Sequence, residues 1–222
     1  MQTLQERLVQ TRTAIEAECQ RLQRAEPTLI VVTKNHPVTL AQELYSLGER
    51  DFGENRVQEA EPKAVHLAQF TDLNWHLIGQ LQTNKVKQAL EFTSVLHSLD
   101  RDSLLSELIK RTVDRQTPLD VFIQVNLTED PQRGGIAVGE VLAFADKVAT
   151  TATLKLRGLM AVASLDVEPT AEFEKVATLS QQLIQKHPEA KDMSIGMSND
   201  YIEALQFGAT HLRIGTAITG NR

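Results

Sequence analysis

The chain lacks the features that mark several large protein classes, and each absence narrows what it does. Among 222 residues there is one cysteine, Cys19, so no intrachain disulfide can form and a reducing compartment is the natural home. No uninterrupted apolar run approaches the roughly 20 residues needed to cross a bilayer. The opening Met1-Gln-Thr-Leu-Gln-Glu-Arg7 is polar and carries an acid, unlike a signal or transit peptide. A net charge of −6 and the absence of basic patches argue against binding nucleic acid or anionic membrane. The six histidines (36, 66, 76, 97, 187 and 211) show no metal-like pairing, and Cys19 has no cysteine partner, so no metal site is expected. Walker A, Gly-x-Gly-x-x-Gly and Gly-x-Ser-x-Gly motifs are missing too. There is no linker, no low-complexity segment and no repeat beyond a βα rhythm. A cytoplasmic, soluble protein is expected, with a single domain spanning residues 1–222.

What is present is alternation. Leu4, Leu8, Thr11, Ile15, Cys19 and Leu22 recur at helical spacing over residues 3–25, which places Cys19 on a core-facing stripe. Strands are then predicted at 28–33, 50–53, 73–78, 94–98, 119–126, 154–162, 192–195 and 210–214. Helices are predicted between them at 39–48, 55–69, 83–91, 101–114, 138–150, 170–187 and 199–207. Eight strands alternating with helices ask for a parallel sheet covered by helices. A (β/α)8 TIM barrel is the expected fold class, with an open doubly wound sheet as the alternative. Only a short tail, Thr216 to Arg222, follows the last strand, so the N-terminal helix is expected to complete the outer ring. Thr128 to Gly135 and Ser164 to Pro169 read as strand-to-helix loops, which in a barrel lie on the active face.

The strand ends carry the chemistry. Thr28-Leu-Ile-Val-Val-Thr-Lys34 is an apolar, β-branched run that ends on a lysine. An amine held at the tip of a buried strand is desolvated, which favours its nucleophilic neutral form toward an aldehyde; alternatively, Lys34 simply opens a solvated loop. Gly196-Met-Ser198 and Ile214-Gly-Thr216 follow strands seven and eight, where TIM barrels recurrently bind phosphate. Ser198 is either part of such a cradle or a helix N-cap, and Asn55 is either a ligand contact or a cap. Arg213, at the end of a buried strand, needs a partner or a polar cavity. His76, beside Trp75, reads as a satisfied core histidine, and Lys85 and Lys87 as a solvated face. A reactive amine with a phosphate cradle suggests an aldehyde that carries phosphate.

Val32-Thr-Lys34, Phe52-Gly-Glu-Asn55 with Val57-Gln-Glu59, Trp75-His-Leu-Ile-Gly79 with Leu81-Gln-Thr-Asn-Lys85, Gly158-Leu-Met160, Ser194-Ile-Gly-Met-Ser198 with Asp200, and Arg213-Ile-Gly-Thr216 run in order along the chain. Together they resemble the pyridoxal phosphate homeostasis proteins. The resemblance implies a barrel similar to the alanine racemase N-terminal domain, with pyridoxal 5′-phosphate (PLP) as cofactor. It further implies that Lys34 forms a Schiff base and that Ser198, Gly215 and Thr216 hold the phosphate. By the same resemblance Arg213 faces the pyridine nitrogen and Asn55 lies near the ring. An always-charged arginine keeps that nitrogen unprotonated and the ring a weak electron sink. The racemases add a tyrosine base from a second domain; the tyrosines here are Tyr45, in an outer helix, and Tyr201, after Ser198. The implied role is PLP and amino-acid homeostasis with little or no catalytic turnover and no catalytic residues, with PLP-dependent apoenzymes as partners; the lone cysteine and the absence of an obvious exposed apolar stripe point to a monomer. The alternatives are a racemase-like enzyme and, more distantly, a Schiff-base aldolase. Two departures stand out: Asn35-His36-Pro37 occurs where the family usually shows Thr-Lys-Pro, and Thr219 occurs where it usually has an aromatic residue.

Overall fold

A computed structural model describes residues 2–128, 130, 133–164 and 168–220. Helix α1 (Leu4–Arg21) starts at a capping box: the Thr3 hydroxyl accepts from the Glu6 amide while the Glu6 carboxylate accepts from the Thr3 amide. The strands are β1 (Thr28–Val32), β2 (Asp51–Glu54), β3 (Asn74–Leu77), β4 (Val95–Leu99), β5 (Leu119–Asn126), β6 (Ile136–Ala137), β7 (Leu154–Met160), β8 (Asp192–Ser194) and β9 (His211–Ile214). The further helices are α2 (Val38–Ser46), α3 (Val57–His66), α4 (Val86–Ala89), α5 (Asp102–Thr112), α6 (Val141–Ala149), α7 (Pro169–Lys186), α8 (Tyr201–Gln206) and α9 (Thr216–Thr219).

All strand pairings are parallel, in the order β4-β3-β2-β1-β9-β8-β7-β5, and β4 also pairs with β5. That last pairing closes an eight-stranded barrel and rules out the open sheet, since neither β4 nor β5 is left as an edge. The two-residue β6 lies outside the ring, on β5. It falls in a polar region with no strand periodicity and was not expected from the sequence. Helix α1 packs against α8 and α9. The Arg7 Nε–H donates to the Ile218 carbonyl at 2.7 Å, and Arg24 donates to the Leu205 carbonyl at 2.7 Å and to that of Ala209.

Several sequence expectations need correction. The helix predicted at 83–91 is a 3-10 turn, Thr83–Lys85, followed by the short α4. The segment at 138–150 likewise opens with a 3-10 turn before α6. The strand expected to reach residue 162 ends at Met160, beyond which Val162 is exposed. The tail after β9 contains α9, held to α1 by the Arg7 bond. Of the two predicted loops, residues 129, 131–132 and 165–167 lie outside the described residues.

Two polar clusters shape the barrel around its apolar packing. Between β1, β2 and α3, the Lys63 ammonium donates to the Thr33 carbonyl (2.7 Å) and to Glu54 Oε1 (2.5 Å), and the Thr33 hydroxyl donates to the same oxygen (2.6 Å). All three residues are buried, so this ion pair clamps α3 onto the chain immediately before Lys34. Glu54 Oε2 is buried with no hydrogen-bond partner among the described residues. At the N-terminal mouth of the barrel, Arg157 bridges Asp120 (2.6 Å) and Asp192 (2.7 Å). Cys19 is buried on α1, where desolvation raises its thiol pKa, as a core cysteine should be.

Candidate functional site

The C-terminal ends of β1, β8 and β9 are neighbours, because β9 pairs with β1 on one side and β8 on the other. Lys34 follows β1 by two residues, in a turn where Asn35 takes the left-handed conformation at φ 60°. The side chain is exposed. The burial expected for its amine is therefore absent, since β1 ends at Val32 and the lysine lies beyond the packed strand. A Cβ on Gly215 would lie 3.5 Å from Val32 Cβ, so the turn after β9 runs alongside the strand that leads to Lys34.

Ser198 joins the two phosphate-type turns. Its Oγ accepts hydrogen bonds from the backbone N–H groups of Gly215 and Ala217, each at 3.2 Å. It is not the cap of α8. Asp200 holds that position, and its Oδ1 accepts from the Met197 amide at 2.5 Å to close the turn. Desolvation raises the Asp200 pKa against the lowering effects of that bond and of nearby Arg213. The turn depends on Gly196, whose φ is 90° and whose added Cβ would meet Ala204 Cβ at 2.7 Å and Leu212 Cδ2 at 2.9 Å. The exposed Thr216 follows Gly215 as the first residue of α9, so Ser198, Gly215 and Thr216 form one cluster.

Arg213 is buried inside the barrel. Its Nη1–H groups donate to Ser194 O (2.5 Å) and Ser194 Oγ (2.6 Å), and its Nη2–H donates to Ala161 O (2.8 Å). Burial pulls its pKa down to about 10, with Asp200 acting in the opposite direction. At neutral pH it is thus a full positive charge, and the three bonds fix its orientation. The bonds among the described residues use the two terminal nitrogens and leave Nε–H outside them.

Asn55 stands apart from this group. It follows β2 but does not cap α3, whose N-cap position is Arg56 with no side-chain bond. Instead it lines a cavity of about 520 Å³ with Arg56, Gln80, Gln82 and Lys85. Lys85 therefore borders a cavity rather than the plain solvated face expected for it.

The sequence reading assigned no role to Ser194 or Ala161, which hold Arg213, or to His97, which sits behind Ser194. The available signal is that Ser194 falls in a short apolar strand segment, where a buried serine is costly unless its hydroxyl is used. His76 is satisfied, as expected, by Asp51 and His97 at 2.9 Å each. Among the described residues no group of three or more His, Cys, Asp or Glu is placed to hold a metal, and no helix is long and apolar enough to cross a membrane.

Known proteins resemble this chain in sequence and fold. The alanine racemase N-terminal domain family matches residues 11–222. The pyridoxal phosphate homeostasis protein of Vibrio alginolyticus is 38% identical over 87% of this chain and 86% of its own length. That of Escherichia coli K12 is 36% identical over 100% and 98%. The structure of PipY from Synechococcus elongatus, with PLP bound, superposes with a TM-score of 0.87 at 34% identity, covering 98% of this chain and all of that one.

Proposed function

The chain belongs to the alanine racemase N-terminal domain family and, within it, to the pyridoxal phosphate homeostasis proteins, and on that premise we propose that it binds PLP through Lys34 and serves PLP balance with little or no catalytic turnover. The single observation that carries the site assignment is the convergence of Ser198 Oγ with the Gly215 and Ala217 amides, beside the strand that ends in Lys34.

The donor set fits the cofactor. The hydroxyls of Ser198 and Thr216, at a turn where the Gly215 and Ala217 amides donate to Ser198 Oγ, suit the acceptor oxygens of a phosphate. Arg213 presents a fixed positive charge, which disfavours a proton on a pyridine nitrogen placed against it. Lys34 is an exposed residue at the end of this strand, and its amine is the group proposed to meet the aldehyde. When bound, PLP supplies an electron-withdrawing ring, whose strength depends on protonation of that nitrogen. By withholding the proton, Arg213 makes the site a holder of the cofactor more than a user of it.

The second reading, a racemase-like enzyme, takes its support from the family's name. Proton transfer needs an opposing base, and the two tyrosines are poorly suited. The Tyr45 hydroxyl donates to Asp72 at 2.9 Å in the outer layer, with its ring stacked on Phe70. Tyr201 is half-buried against the core, with its pKa raised by desolvation. The functional setting proposed is a cytoplasmic monomer whose PLP passes to PLP-dependent apoenzymes.

Ser198→Ala tests the cradle. It removes one hydroxyl from the phosphate site and is expected to weaken PLP binding about tenfold, the effect of one charge-assisted hydrogen bond. Equilibrium dialysis against PLP reads this directly, and wild-type affinity in the variant would count against the assignment. Solvent α-proton exchange into amino acids, followed by NMR with PLP-loaded protein, separates the two functional readings. No exchange above free PLP is expected; robust exchange dependent on Lys34 would establish an enzyme instead.

A further inference from the structure

Behind Arg213 a file of buried side chains crosses the barrel. Ser194 Oγ lies 2.6 Å from Arg213 Nη1 and 2.9 Å from His97 Nδ1. His97 Nε2 lies 2.9 Å from His76 Nδ1, and His76 Nε2 lies 2.9 Å from Asp51 Oδ1. Ser194 and His97 are wholly buried and His76 nearly so, whereas the Asp51 side chain keeps 25% of its surface at the N-terminal mouth. Phe122 stacks on the His97 ring at 4.5 Å and holds its plane.

The order of donors is built from the Asp51 end. The Asp51 carboxylate accepts, so His76 carries a proton on Nε2. With His76 Nδ1 as the acceptor, His97 donates from Nε2, and its unprotonated Nδ1 accepts from the Ser194 hydroxyl. A guanidinium only donates, so Ser194 Oγ accepts from Arg213 as well, and in this order every donor has an acceptor. Burial, with nearby Arg213 and Arg157 acting in the same direction, pushes the His97 pKa well below its usual value, which suits this arrangement.

We propose that Asp51, His76, His97 and Ser194 form a positioning relay that fixes the Arg213 guanidinium and links its charge to a carboxylate on the opposite face of the barrel. These are positioning residues, since the file reaches the site only through Arg213. The inference rests on the reading of Arg213 as the ring-facing residue of a PLP site.

Two measurements test it separately from that reading. The first needs no PLP: imidazole 15N NMR of the purified protein is expected to show both His76 and His97 carrying a proton on Nε2, with Nδ1 of each as the acceptor. In Asp51→Leu the His76 preference for that tautomer is expected to be lost, and in Asp51→Asn, which keeps an acceptor oxygen, to be retained. The second uses PLP. Asp51→Leu and Ser194→Ala are each expected to speed PLP dissociation about tenfold, as for one lost hydrogen bond, and to shift the visible band, with Asp51→Asn restoring both. Charged or Nδ1-protonated histidines would overturn the relay, as would a wild-type band and off-rate in both disrupted variants. Ser194→Ala carries the test if Asp51→Leu does not fold. Failure of the wild-type protein to take up PLP would overturn the cofactor reading instead, and the relay's role toward PLP with it, while leaving the tautomer result standing.

Discussion

Lys34→Ala is expected to abolish covalent PLP attachment while leaving thermal stability within about 0.5 kcal/mol of wild type. The two halves of this expectation have separate causes. Lys34 is exposed and lies beyond the last residue of β1, so truncating it opens no cavity in the packed barrel. The clamp that holds this end of the strand uses the Thr33 backbone and hydroxyl, Glu54 and Lys63, all unaffected by the change. The Ser198 cradle and Arg213 also remain, so residual reversible binding of PLP is expected, without an adduct after borohydride reduction. A calorimetric scan beside the absorption spectrum checks both halves. A large loss of melting temperature would show that Lys34 is structural, and persistent covalent attachment would move the reactive amine elsewhere.

Arg213→Ala is expected to damage binding and stability together. It strips hydrogen bonds from Ser194 O, Ser194 Oγ and Ala161 O and leaves a void inside the barrel. A cost of roughly 2–4 kcal/mol follows, or about 5–15 °C in melting temperature for a chain of this size. Part of the loss is offset because the buried charge is itself costly. Its pKa, depressed by burial to about 10, means that folding disfavours the protonated form. That penalty applies in full below about pH 10 and is relieved as pH rises above that value toward the ordinary arginine range, so stability carried by this group increases with pH there. Arg213→Lys keeps the charge without the fork, and a single ammonium cannot reproduce both the Ser194 and Ala161 contacts. PLP affinity is expected to fall in both variants, and stability further in the alanine variant. Isothermal titration and melting curves on the same samples separate these effects, and a variant with wild-type affinity would remove Arg213 from the site.

The barrel was legible in the sequence because its signals are local. β5 is a Leu-Asp-Val-Phe-Ile-Gln-Val-Asn run with strand periodicity and was bounded correctly at 119–126. The eight ring strands came from the same kind of pattern. Closure was not local; it depends on the β4–β5 pairing, which no single segment encodes. Helix α4 was overextended because an amphipathic pattern around Val86 and Ala89 does not reveal that the chain begins with a tighter 3-10 turn. For the site, the ends of β1, β8 and β9 were readable as glycine-bearing turns and strand-terminal charges. Ser198 shows where such reading stops. A serine before a helix has the composition of a cap, and only the fold shows its hydroxyl reaching across to Gly215 and Ala217. The file behind Arg213 was hidden for the same reason. Asp51, His76, His97 and Ser194 come from four strands, and each taken alone is an ordinary polar residue on a short strand.

The most direct test is to load the purified protein with PLP, reduce it with borohydride and locate the pyridoxyl adduct by peptide mass spectrometry. The expected result is a yellow protein that bleaches on reduction and carries the adduct on the peptide containing Lys34. A protein that takes up no PLP, or one modified only at another lysine, would contradict the assignment of this strand end as the cofactor site.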